Sequence, residues 1–176
     1  MAEIKPPRIY FTDLPDKLID SLSDPSTVFL SAPTGEGKTL MLIDILACHA
    51  KNTNHKKKCI LVIPTKPAVL AIHKYATHIF DHKIGYRMHD NVISHSKEDI
   101  TIMVTGYFLE YILHNKSLIH KDYIIAIDEA HDSSLQTDLL VRILSWIKAE
   151  KTLNLKLLYP QRHWKPIDTV PFLRIY

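Results

Sequence analysis

The chain has 176 residues, 46% of them hydrophobic and 23% charged, with a formal net charge of +3. That is one domain's length, long enough for a core, with a composition ordinary for a globular protein. Two cysteines, Cys48 and Cys59, make no disulfide framework; no apolar run reaches the ~18 residues of a membrane span and no secretory h-region follows the N-terminus, so a cytoplasmic or nuclear setting is expected and secretion is not. The mild positive charge neither demands nor excludes nucleic acid.

In chain order, Leu14, Leu18, Ile19 and Leu22 fall at helical spacing behind Thr12 or Asp13 as cap, with Pro15 in the first turn. Thr27–Ser31 reads as a buried strand, followed by a glycine-bearing loop and a helix from about Lys38 to Ala50. Asn52 to Lys58 is a polar turn whose lysines read as solvated rather than as a nucleic-acid patch. Cys59–Ile63 is a second strand, closed by Pro64, and Lys66 to Phe80 a helix. His82 to Tyr86 reads as a short strand, Ile100–Val104 as another, and Gly106 to Asn115 as a helix, whose Tyr107, Phe108 and Tyr111 are expected in the core. Tyr123–Ile127 is an apolar strand running into Asp128, Ser133 to Ala149 is helical, and Leu155–Tyr159 begins a last strand. Strands apolar throughout and alternating with helices predict an α/β fold, a parallel sheet with helices on both faces. In such sheets ligands gather at the carboxyl ends of the strands.

Two segments sit at such ends. Ala32-Pro33-Thr34-Gly35-Glu36-Gly37-Lys38-Thr39 fits the phosphate-loop pattern, with Ala32 in place of its first glycine. Gly35 and Gly37 permit turns that side chains block, so backbone N–H groups can face phosphate oxygens at the positive end of the next helix. Lys38 is a mobile cation for the β- and γ-phosphates of ATP, and Thr39 offers a hydroxyl to Mg2+. The bland alternative is a glycine turn between strand and helix. Asp128-Glu129 ends its apolar strand where a partner to that loop belongs. Asp128 is read as a magnesium holder and Glu129 as the general base that polarises water; the bland alternative is a strand terminus capping a helix. The candidate catalytic set is therefore Glu129, Asp128 and Lys38.

With Asp128-Glu129-Ala130-His131 in place, the chain resembles the DEAH-box group of superfamily 2 helicases from roughly Thr12 to Tyr159. The resemblance implies a P-loop NTPase domain of recombinase-like fold, a nucleic-acid partner, RNA in preference to DNA, and no membrane. Pro64, Thr65 and Lys66, with the residues to Val69, look like motif Ia; Thr105, Gly106 and the residues to Leu109 look like motif Ib. Both touch the nucleic-acid backbone in relatives. His131 is implied to couple the nucleotide to the nucleic-acid side. Ile84-Gly85-Tyr86 resembles a further segment that continues in relatives to an arginine, where this chain has His89.

Relatives next carry Ser-Ala-Thr on a strand and then a second domain that supplies arginines to the γ-phosphate. Tyr159-Pro160-Gln161-Arg162-His163-Trp164-Lys165 reads as polar and hostile to a strand. Codon degeneracy permits these residues, read two bases on, to encode Ser-Ala-Thr-x-Leu-Glu. Residues 1–158 are thus expected to form the ATP-binding domain and 159–176 an out-of-frame tail, with the last strands and the second domain missing. The expected function is the ATP-binding module of a nucleic-acid-dependent ATPase or helicase that does not unwind by itself. The alternatives are a remnant that binds nucleotide or RNA without turnover, and another phosphate-loop enzyme, against which Asp-Glu-Ala-His speaks. Among eleven histidines, His78 and His82 stand four apart but lack a third ligand at a convincing spacing, so no metal role is expected of them.

Overall fold

The computed structural model describes residues 27–31, 37–115, 123–129, 134–149, 155–161 and 173–175, with side chains described over 37–115, 123–129 and 134–147. The helix expected at Leu14 to Leu22 lies outside these residues. The strands are β1 (Thr27–Ser31), β2 (Lys58–Ile63), β3 (Ile84–Arg87), β4 (Val92–Ile93), β5 (Ile100–Val104), β6 (Tyr123–Ile127), β7 (Leu155–Gln161) and β8 (Leu173–Ile175). The helices are α1 (Lys38–Asn52), α2 (Lys66–Ile79), α3 (Thr105–His114) and α4 (Leu135–Ala149). The strands form one sheet in the order β4-β3-β5-β2-β6-β7-β1-β8, parallel except for the β3–β4 pair.

Strand pleating explains why the apolar runs carry no polar alternation. Neighbouring residues point to opposite faces, and both faces are covered. Leu61, Ile63, Ile102, Val104, Ile124 and Ala126 face α1 and α2, packing with Met41, Leu42, Leu46 and Val69. Ile60, Val62, Met103, Ile125 and Ile127 face α3 and α4, packing with Phe108, Leu140 and Leu144. Phe108 is buried as expected, while Tyr107 and Tyr111 lie partly buried against the same cluster. No described helix is long and apolar enough to cross a membrane.

Three strands depart from the sequence expectation. β4 was not foreseen: it is two residues long, with Val92 and Ile93 exposed, and it pairs antiparallel with β3 through Tyr86↔Ile93 and Arg87↔Val92. A Cβ at Gly85 would stand 2.9 Å from the Ile93 carbonyl oxygen, so glycine permits this close return. β7, expected to fail after Tyr159, continues through Pro160 to Gln161, and β8 extends the sheet beyond β1, so the expected loss of the last strands needs correction to that extent. The register explains the tolerance of proline. β7 pairs with β6 only as far as Leu158 but with β1 as far as Gln161, so Pro160 lies where β7 has a strand partner on one side. A missing N–H is tolerated on such an open side.

Candidate nucleotide and nucleic-acid site

Gly37 caps α1 with φ 74 and ψ 21, and a Cβ there would meet nothing within 4 Å. Glycine is required for its left-handed backbone, not for space. That turn launches α1 with Lys38 and Thr39 in its first turn and no acidic residue beside them. Met41, Leu42, Ile43, Ile45, Leu46, Ala47 and Ala50 anchor the helix in the core. Its amino end, with the unpaired N–H groups and positive dipole of any helix start, is thus held at the carboxyl edge of the sheet.

Asp128 arrives from the other direction. Its N–H donates to the Val62 carbonyl at 2.9 Å, extending the β2–β6 ladder one residue past Ile127. Its side chain is 5% exposed and accepts the Thr39 hydroxyl at 2.5 Å. The chain then turns sharply: Glu129 has φ 51, unusual for a residue with a side chain, and its N–H donates to Asp128 Oδ1 at 2.9 Å. This turn leaves Glu129 half-buried beside Asp128.

Burial pushes the Asp128 carboxyl above its ordinary range; the Thr39 and Glu129 hydrogen bonds and the Lys38 charge pull it down, and the Glu129 charge adds to the rise. A buried carboxylate that holds its proton too readily is poised for a cation to replace that proton. The donor set also fits magnesium. A hydroxyl and a carboxylate oxygen in mutual contact are hard oxygen ligands of the kind this ion takes with few protein groups.

The second group of sequence candidates gathers at the ends of β2 and β5, which pair Ile63↔Val104. Thr65 caps α2, its hydroxyl oxygen accepting from the Ala68 N–H at 3.4 Å, and Pro67 stands in the first turn. Pro64 is half-buried beside it, and Lys66 is exposed and paired with exposed Asp90 at 3.0 Å. Thr105 is buried; its hydroxyl donates to the Ile63 carbonyl at 3.3 Å, tying the two segments together. A Cβ at Gly106 would lie 3.3 Å from the Gln136 Oε1, so that glycine brings α3 close to α4. His89, where the resemblance expects an arginine, meets Glu110 of α3 at 2.8 Å and the edge of Tyr107.

Lys38, Thr39, Asp128 and Glu129 are therefore brought to one place, and Pro64, Thr65, Lys66, Thr105 and Gly106 to another on the same sheet edge. β6, which carries Asp128 of the first group at its tip, pairs directly with β2, whose end carries the second group. Ala32, Pro33, Thr34, Gly35, Glu36 and His131 lie outside the described residues. The left-handed turn at Glu129 was not legible from residue type, since glutamate gives no signal for it.

Comparison with known proteins gives the family and the fold. A family model, DEAD/DEAH box helicase, matches residues 12–157. ATP-dependent RNA helicase HrpA of Borreliella burgdorferi is 29% identical over 140 residues, which cover 77% of this chain and 17% of that protein. Human DHX40, named a probable ATP-dependent RNA helicase, is 29% identical over 147 residues, covering 80% of this chain and 18% of that protein. The fold is that of the Escherichia coli DEAH/RHA helicase HrpB, with a TM-score of 0.77 at 23% identity over 92% of this chain and 22% of that one. The chain thus spans about a fifth of the length of these relatives, and the family match over 12–157 makes it a member of the DEAD/DEAH box helicase family.

Proposed function

We propose that this domain binds ATP with magnesium and hydrolyses it in response to RNA, as the ATP-binding module of a helicase. The observation that carries the reading is the Thr39–Asp128 hydrogen bond, which joins two motifs 89 residues apart at the amino end of a buried helix. The phosphate chain lies on the loop from Ala32 to Gly37, with Lys38 reaching the β- and γ-phosphates. Thr39 and Asp128 would hold magnesium, and the ion would supply neutralisation of charge developing on the phosphates. Glu129, turned by its left-handed backbone to stand next to Asp128, orients the attacking water and takes its proton.

The nucleic-acid backbone runs over the ends of β2 and β5. The amino ends of α2 and α3 lie there side by side, and helix starts favour phosphate oxygens. Pro64, Thr65, Lys66, Thr105 and Gly106 form this edge, with Lys66 the mobile cation. RNA is favoured over DNA because the relatives named above are called RNA helicases. His131 follows the acidic pair in sequence and passes the state of one group to the other.

For the 176 residues alone we propose nucleotide binding with slow turnover and no unwinding. In phosphoryl transfer an arginine supplied from outside the phosphate-binding loop is worth about 10³–10⁵ in rate, and no arginine is among the candidates at this site.

The test is ATP hydrolysis by the purified chain with and without single-stranded RNA. A low rate that RNA raises, and that Lys38→Ala abolishes, is expected. Nucleotide binding with no turnover under either condition would show a binding module instead of an enzyme.

A further inference from the structure

Three ligating side chains converge away from the nucleotide site. Asp44 and Cys48 lie one turn apart on α1, and His82 comes from the segment between α2 and β3. His82 Nε2 is 2.9 Å from Asp44 Oδ1 and 4.0 Å from Cys48 Sγ, and Cys48 Sγ is 3.8 Å from Asp44 Oδ1. The sequence hid this set because its members come from two elements. The four-residue step from His78 to His82 is not a helical one, since α2 ends at Ile79 and His78 is exposed.

Two ordinary readings fail on geometry and chemistry. A thiol–imidazole–carboxylate relay places the thiol on one ring nitrogen and the carboxylate on the other. Here both face Nε2, and Nδ1 is buried with no hydrogen-bond partner among the described residues. A reactive cysteine needs a depressed thiol pKa. Burial first, and then the charge of Asp44, push the Cys48 thiol up, while Lys51 only partly opposes them.

Three donor atoms facing one another around a common point is instead the arrangement of ligands about an ion. Zinc takes sulfur at about 2.3 Å and nitrogen or oxygen at about 2.0–2.2 Å in a tetrahedron, which sets neighbouring ligand atoms about 3.3–3.7 Å apart. The observed separations of 2.9, 3.8 and 4.0 Å lie just outside that range, one below and two above, so small side-chain shifts bring the three atoms to it. The His82 side chain is 9% exposed and its ring stacks on Phe80, with 5.6 Å between centroids, so its orientation is fixed before any ion arrives. Asp44 is 40% exposed, leaving a path from solvent and room for a water as fourth ligand.

We propose that Asp44, Cys48 and His82 form a binding site for a zinc-like divalent cation that clamps the helix behind the phosphate loop to the segment entering β3. Binding displaces the Cys48 thiol proton to solvent and replaces the Asp44–His82 contact with bonds to the ion. Among the described residues Nδ1 of His82 has no hydrogen-bond partner to orient the ring from behind, so the site is expected to be of modest affinity.

The test is titration of the full chain with zinc in competition with a chromophoric chelator, alongside cobalt(II) as a spectroscopic substitute. One ion per chain is expected, with thiolate-to-cobalt charge-transfer absorption in the near ultraviolet. Cys48→Ser and His82→Ala are each expected to weaken binding at least about tenfold. Cys59→Ala, which alters a thiol buried in the core, is expected to leave the cobalt spectrum unchanged. Circular dichroism shows whether each variant is folded. Absence of the charge-transfer band in the unaltered chain overturns the proposal whatever the variants do, as does zinc binding that folded Cys48→Ser and His82→Ala both leave intact.

Discussion

The Thr39 hydroxyl donates to Asp128 Oδ2, so the first turn of α1 and the tip of β6 share one polar contact although the sheet order places β7 between β6 and β1. The contact joins the helix start after Gly37 to the acidic pair, in which the Glu129 N–H donates to Asp128 Oδ1.

Glu129 follows from that contact as the group whose loss separates binding from chemistry. Glu129→Gln keeps the left-handed turn and its N–H bond to Asp128 but cannot accept a proton. ATP turnover is expected to fall about 10²–10⁴-fold with nucleotide affinity within a few-fold of the unaltered chain. Single-turnover hydrolysis beside equilibrium nucleotide binding measures both; a parallel loss of the two would assign Glu129 to binding.

Lys66 is expected to act on nucleic acid through charge alone. Its pair with Asp90 is exposed on both sides, 47% and 65%, and so is weak and easily exchanged for a phosphate. Lys66→Ala should weaken RNA binding uniformly across sequences and reduce the slope of log affinity against log salt by about one. Asp90→Asn, which releases the lysine, should strengthen binding. RNA titrations at several salt concentrations check both signs.

Asp99 is expected to contribute to acid sensitivity. It is 2% exposed, accepts the Lys83 N–H at 2.7 Å and pairs with His55 at 2.8 Å and Lys51 at 3.6 Å. Burial raises its pKa, but the Lys83 N–H, His55 and Lys51 together outweigh burial and hold it below the usual carboxylate range. A depressed folded value means that the unfolded chain binds the proton first as pH falls. The stabilisation is complete above the unfolded value of about 3.9 and is lost as pH drops through it toward the folded value. Asp99→Asn should cost about 1–3 kcal/mol near neutral pH, with the Lys51 share small because that side chain is 42% exposed, and should flatten the acid limb of stability. Urea denaturation across acid to neutral pH reads this; an unchanged acid limb would show that Asp99 is not its source.

Much of this arrangement was legible in the sequence, for identifiable reasons. β2, β5 and β6 are buried on both faces, so apolar runs such as Cys59–Ile63 and Tyr123–Ile127 mark them without ambiguity. The placement of Gly37, Lys38 and Thr39 at a helix start and of Asp128 at a strand end was legible because each follows an apolar strand in the sequence. Other features were not. β4 has two exposed residues and is held by backbone pairing to β3, which leaves little side-chain pattern. Pro160 reads as a strand breaker until the register shows β7 open on one side beyond Leu158. Asp44, Cys48 and His82 meet only through the packing of α1 beside the end of α2, which spacing along one element cannot reveal.

The residues after Leu158 carry a separate expectation at the level of DNA. Codons 159 to 165, read two bases on, should encode Ser-Ala-Thr-x-Leu-Glu. Sequencing this stretch decides the matter, and any other peptide in that frame removes the out-of-frame account of the tail.

The central claim is that the glycine loop and the acidic pair hold one magnesium–ATP complex between them. Its most direct test is ATP binding with and without magnesium in the unaltered chain, Thr39→Ala, Asp128→Asn and the double variant. Affinity should depend on magnesium, fall at least about tenfold in each single variant, and fall by less than the product of the two in the double variant, as for groups sharing one partner. Magnesium-independent affinity, or single losses that multiply in the double variant, would contradict a shared site.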